Sequence, residues 1–166
     1  MIEHINVTKT INANADQAWA AISNIGGLDR WFPIIAGCSV FGAGEGATRI
    51  LTLVDGGKIK DRIESIDHQQ RSLRYNRIES PFPVLSYLGT VKVRKVSDVN
   101  AELSWTVEID VQEEQRDAMV GLIHRAITEG IDGLELDLQQ RNQGCKKIRV
   151  TAYFQCRTIR RYKERK

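Results

Sequence analysis

The chain has 166 residues, 42% hydrophobic and 27% charged, the makeup of one globular domain with room for a sizeable core. No apolar run approaches the ~20 residues a membrane-crossing helix needs, and MIEHINVTK lacks the apolar stretch of a signal peptide, so a cytoplasmic protein is expected. The net charge of +3 divides unevenly: residues 145–166 carry nine Lys or Arg against Glu164, about +8, whereas residues 1–144 hold 15 basic and 20 acidic residues, a net of −5.

Residues 2–11 alternate weakly and contain β-branched Ile5, Val7, Thr8 and Ile11, which predicts a first strand. Asn14 with Gln17 three residues on resembles a capping box. A short helix follows to about Asn24, with Ala15, Ala18, Trp19 and Ile22 on one face. Gly26-Gly27 breaks it, and Leu28 to Trp31 fit a further helical turn that Pro33 ends. From Ala36 to Ile109 strand follows strand. Turns are expected at Gly42–Gly46, Asp55–Gly57, Asp67–Gln70, Pro81–Pro83 and Asp98–Asn100, giving a six-stranded antiparallel meander.

Over 113–142 the period changes. Met119, Leu122, Ile123, Ala126, Ile127, Gly130, Ile131, Leu134 and Leu138 form one broad apolar stripe on a long helix. Asp110 is the expected cap, with Glu113 and Glu114 at the positive end of the dipole. Gly121, Gly130 and Gly133 each cost up to about 1 kcal/mol of helix propensity, which implies close approach to the sheet or a bend. The domain is expected to occupy 1–144. Residues 145–166 would be a basic tail, flexible or added as an edge segment, since 148–154 (IRVTAYF) alternate like a strand.

Strand parity then places side chains. Lys58, Lys60, Arg62 and Glu64 are all charged and belong to solvent, so Ile59, Asp61 and Ile63 point at the long helix. A turn pairing Val54 with Lys58 sets Leu51 opposite Asp61 and Arg49 opposite Ile63. A turn pairing Ile66 with Gln70 sets Tyr75 opposite Asp61 and Arg77 opposite Ile59. Registers shifted by two change the partners but keep the face. That face carries Arg49, Asp61, Tyr75 and Arg77 among Leu51, Leu53, Ile59, Ile63 and Leu73. Tyr87, Gly89, Val91 and Val93 continue it on one neighbouring strand and Leu103, Trp105, Val107 and Ile109 on the last. Two readings are open: a mutually satisfied ion cluster, or a wet cavity whose charges hold the polar end of a ligand.

Other chemistry is sparse. Cys38, Cys145 and Cys156 are odd in number and far apart, which suggests neither a disulfide framework nor a zinc site. His4, His68 and His124 are scattered, none at metal-ligand spacing, so no metal and no cofactor are expected. The glycines at 42, 44 and 46 read as a strand turn rather than a phosphate loop. Trp19, Trp31, Phe32 and Trp105 read as core or cavity wall.

The order of strand, two short helices, six-stranded meander and long helix resembles the START-like, or helix-grip, superfamily (SRPBCC), which includes the birch pollen allergen. The stretches GEGATRILTLVDGGKIKDRIESID, RYNRIESPFPVLSYLGTVKV and ELSWTVEID look closest to its bacterial polyketide cyclase/dehydrase and lipid-transport branch, which is also similar to the plant abscisic-acid receptors. The resemblance covers residues 1–142. It implies an α+β fold in which a seven-stranded curved antiparallel sheet grips the long C-terminal helix around a cavity. By position, 55–57 and 80–84 resemble the mouth loops of the plant receptors, with Phe82 as a lid. The receptors' own loop motifs are missing, so hormone recognition is not implied. The branch usually shows a glutamate where Asp61 stands.

The expected function is binding of a small amphipathic or hydrophobic molecule, lipid-, polyketide- or aromatic-acid-like. Its body would lie against Trp31, Leu51, Leu53, Phe82, Val91 and Trp105, near Tyr87. Its acidic or hydroxyl end would meet Arg49, Asp61, Tyr75 and Arg77. The alternative is a metal-free cyclase or dehydratase with Asp61 as acid/base. Two arginines beside that carboxylate make it a weak base. A further alternative has the tail RTIRRYKERK touching nucleic acid or anionic membrane, although a nucleic-acid partner is not favoured. A monomer or homodimer is expected.

Overall fold

Asn14 starts the first helix as expected: its side-chain oxygen accepts the backbone N–H groups of Asp16 and Gln17. Gln17 does not return the bond; its amide reaches Asn142 instead, tying this helix to the last one. The structure, a computed structural model, describes the backbone of residues 1–163 and the side chains of residues 1–144. In chain order these form β1 (Ile2–Ile11), α1 (Ala15–Ser23), a 3-10 turn at Leu28–Arg30 and β2 (Ile35–Phe41). Then come β3 (Thr48–Leu53), β4 (Lys58–Asp67), β5 (Ser72–Glu79), β6 (Ser86–Lys95) and β7 (Ala101–Asp110). A 3-10 turn at Glu113–Gln115 leads into α2 (Arg116–Lys163).

The seven strands make one antiparallel sheet in the order β1-β7-β6-β5-β4-β3-β2. Short connections keep β2 to β7 in sequence, and β1 pairs with β7 along its whole length. This is the helix-grip architecture expected from the element order. The core joins the inward positions of the strands to Met119, Ile127, Ile131, Leu134 and Leu138 of α2, with Trp19 and Ile22 of α1 beside them.

Asp110 does not cap α2. It is the last residue of β7, and Gln112 precedes the 3-10 turn that leads into the helix. The apolar stripe is sealed at both ends but open in the middle: Leu122 is 36% exposed, and Ile123 and Ala126 are only half-buried. Gly133 permits a close approach, though not to the sheet. A Cβ there would sit 1.8 Å from the carbonyl oxygen of Trp31, so α2 touches the segment before β2 backbone to backbone.

Both hairpin registers differ by two residues from those inferred. Gly56 adopts φ 90°, and Leu53 N–H donates to the Gly57 carbonyl, so the β3–β4 loop is Val54 to Gly56. Arg49 therefore faces Asp61 and Leu51 faces Ile59. On the other side, the β4–β5 loop spans residues 68–71, and a bulge near Ser65 precedes the pairing of Ile63 with Tyr75 and Asp61 with Arg77. Around Asp61 each shift is even, so the side chains there keep their face; beyond the bulge, where Ile66 pairs with Leu73, the shift is three. Residues 148–154, whose alternation fits a strand, lie within α2. The side chains of the basic tail, and with them its part as a flexible or edge segment, lie outside the described residues.

Candidate functional site

Three charged residues from three adjacent strands meet under α2. Asp61 is wholly buried, with Arg49 of β3 and Arg77 of β5 directly across from it on either side. Arg49 Nε donates to Asp61 Oδ2 at 3.2 Å, and Arg77 Nε donates to Oδ1 at 2.9 Å. Arg49 Nη1 also donates to the Ile25 carbonyl at 3.3 Å. Ile25 follows the end of α1 with φ 56°, a conformation that a β-branched residue adopts only under strain. That turn delivers the carbonyl to Arg49 while the Ile25 side chain stays in the core.

Two aromatic rings complete the cluster. The Arg49 guanidinium lies 4.8 Å from the Tyr75 ring centre, and that of Arg77 lies 4.0 Å from the Tyr87 ring centre. The two tyrosine rings are 6.1 Å apart. Asp61, Arg49, Tyr75, Tyr87 and Arg77 thus form a closed ring of contacts. Burial opposes the charge on Arg77, but Asp61 and the electron-rich tyrosines outweigh it and hold its pKa above the ordinary value. Burial pushes the Tyr75 phenol well above its usual pKa, with Tyr87 adding to the effect, so Tyr75 is a neutral hydroxyl. Trp105 Nε1–H donates to its oxygen at 3.0 Å. Tyr75 has room for its ring because Gly89 stands opposite on β6: a Cβ there would lie 2.2 Å from Tyr75 Cζ.

Above this ring, between the sheet and α2, lies a pocket of about 290 Å³. Of the sequence-inferred site residues, Arg49, Leu51, Leu53, Tyr75, Arg77, Phe82, Tyr87 and Trp105 line it. Asp61, Trp31 and Val91 do not. Asp61 lies behind its two arginines. Trp31 and Val91 border a separate void of about 10 Å³ deeper in the core. Adjacent Trp31 and Phe32 point different ways, and Phe32 is the one that enters the pocket, edge-on to Trp105 at 5.7 Å.

The remaining wall comes from elements that strand parity does not address. Met119, Leu122, Ile123 and Ala126 of α2 face the pocket, which explains why the stripe is open there. Leu28, Ile34 and Ile35 close the side next to α1. The exposed α2 residues Arg125 and Glu129 stand at the rim. The 80–84 loop contributes Ser80, Phe82 and Val84. Phe82 N–H donates to Ser80 Oγ at 3.1 Å and Val84 N–H to the Phe82 carbonyl at 2.8 Å, which folds the loop tightly on itself. The 55–57 loop adds no wall. Gly57 instead lies against Pro81, so that loop supports the other one.

His124 is exposed on α2 and does not reach the pocket, and His68 accepts the Trp19 indole N–H on Nδ1 at 3.2 Å. Among the described residues no cluster of three or more His, Cys, Asp or Glu is placed to hold a metal ion, and no helix is long and apolar enough to cross a membrane. A second groove, of mixed polar and apolar lining, runs between α1 and α2 past Asn24, Arg30 and Arg141. It lacks the aromatic wall and the buried charge of the pocket under α2.

The family described as polyketide cyclase / dehydrase and lipid transport matches residues 3–139. Among solved structures, the protein XoxI from Bacillus cereus superposes with a TM-score of 0.75 at 24% identity, covering 84% of this chain and 97% of its own. The ZhuI aromatase/cyclase from Streptomyces superposes equally well, with a TM-score of 0.75 at 18% identity over 85% of this chain and 96% of its own. Norcoclaurine synthase from Thalictrum flavum, solved with dopamine and hydroxybenzaldehyde, gives 0.70 at 19% identity over 84% of this chain and 88% of its own. At these identities the likeness is one of fold. No curated protein is a significant match to the chain.

Proposed function

Since this chain belongs to the polyketide cyclase / dehydrase and lipid transport family, we propose that it binds a small amphipathic or hydrophobic molecule in the pocket between the sheet and α2. One observation carries the reading: an apolar wall of aliphatic and aromatic side chains surrounds a floor of buried polar groups. A pocket kept only as a packing fault would be dry and apolar throughout. Here Leu51, Leu53, Phe32, Phe82 and Met119 suit a hydrocarbon or aromatic body, and Arg49, Arg77 and Tyr75 suit a polar end. Loop 80–84 closes the outer side, with Phe82 as its apolar tip.

The placement of Asp61 speaks against the acid/base alternative. Both its oxygens are held by guanidinium groups and no part of it is exposed, so a substrate proton has no path to it. Its part in this reading is to hold the two arginines in place.

The test is a melting-temperature screen of the purified chain against fatty acids, polyketides and aromatic acids. A bound compound at about 100 times its Kd adds about 2.7 kcal/mol, a rise of roughly 5–10 °C for a domain of this size. No rise with any member of a broad panel would remove the reading.

A further inference from the structure

The ring of contacts beneath the pocket does not balance its charge. Arg49 and Arg77 are two cations, Asp61 is one anion, and the Tyr75 phenol is neutral. At the rim, Arg125 and Glu129 offset one another. One positive charge is therefore left in excess at the inner end of a largely apolar cavity.

That charge is unevenly placed. Arg49 spends its Nε–H on Asp61 and Nη1 on the Ile25 carbonyl, and only 4% of its side chain is exposed. Arg77 gives the protein its Nε–H alone, and 11% of its side chain is exposed. Among the described residues no buried side-chain nitrogen or oxygen lacks a partner. The two outer nitrogens of Arg77, and Nη2 of Arg49, are therefore accessible, and both side chains line the pocket, with Tyr87 covering the Arg77 guanidinium face. The Tyr75 side chain lines the same pocket; its oxygen already accepts from Trp105, so the donor it has left is its own hydroxyl hydrogen, which no protein group takes up among the described residues.

We propose that the inner end of the pocket is a receptor for a single carboxylate, taken by the two outer nitrogens of Arg77 and the hydroxyl of Tyr75, so that the ligand is a monoanionic amphipathic acid. This rests on the binding reading above and narrows it. The fork of a guanidinium matches a carboxylate with two parallel hydrogen bonds. A neutral ligand would drive water from Arg77 and leave its charge without compensation. A dianion such as a phosphate monoester would bring one negative charge too many for the excess it meets. A monoanion alone leaves the pocket neutral.

The experiment is calorimetric titration of the full chain at pH 7 with three matched probes: 2-naphthoate, its methyl ester and 2-naphthyl phosphate. The acid is expected to bind more tightly than the ester by about 10-fold or more, and more tightly than the phosphate. Arg77→Met leaves Asp61 and Arg49 as a neutral pair and should erase the preference while the ester still binds. Arg77→Lys restores the charge and should recover part of the preference; its melting temperature, with that of Arg77→Met, checks that both variants fold. Equal binding of acid and ester, or a preference that survives in Arg77→Met, overturns this inference and leaves the pocket reading standing. Binding of none of the probes takes down both.

Discussion

Asp61 shows how one residue can matter without touching a ligand. It anchors two guanidinium groups from opposite sides, and its burial is offset only because both of its oxygens are engaged. Asp61→Asn leaves both arginines buried against a neutral amide. We expect a loss of about 3–5 kcal/mol in urea or thermal unfolding, well above that of Arg77→Met, which leaves one balanced pair. A loss of under about 1 kcal/mol would mean that water already solvates the arginines. At this scale the sequence was informative. Strand alternation brought Arg49, Asp61, Tyr75 and Arg77 to one inward face, because an error of two in register leaves every side chain on its side. It could not show that Asp61 lies behind its partners, since that depends on how the two guanidinium groups fold over the carboxylate.

Among elements, the loops and α2 decide the shape of the pocket. The β3–β4 register turned on which three residues form the loop, and the sequence Val-Asp-Gly-Gly admits two choices. Gly56 with φ 90° selects Val54 to Gly56 and brings Arg49 straight across from Asp61. Trp31 and Phe32 lie in an irregular segment with neither a helical nor a strand period, so nothing in the sequence said which of them faces the pocket. The backbone contact between Gly133 and Trp31 settles it by fixing that segment against α2. In the 80–84 loop Phe82 is half-buried and lies in the wall, held by hydrogen bonds within the loop. Phe82→Ala should therefore cost only about 1 kcal/mol of stability and weaken 2-naphthoate binding by about 10-fold. A stability loss of about 3 kcal/mol or more with affinity unchanged would make Phe82 a core residue instead.

For the whole molecule, the order of elements was legible from turn residues and a change of hydrophobic period, and the helix-grip architecture was what the family resemblance of that order implied. The pocket was legible only in outline. About a third of its wall is α2, whose stripe reads the same whether it packs on a sheet or faces a cavity, and Leu122, Ile123 and Ala126 do the second. The proposed function requires that a ligand enter there. Trp105 lies in the wall with its indole N–H on Tyr75, whereas the indole N–H of Trp19 donates to His68 away from the pocket. Titration of the ¹⁵N-labelled chain with 2-naphthoate, followed by the indole resonances, separates the two. A ligand in the pocket gives a saturable shift of the Trp105 resonance with Trp19 unmoved. A Trp105 resonance that stays in place while the compound binds, or a shift confined to Trp19, would contradict the proposed function.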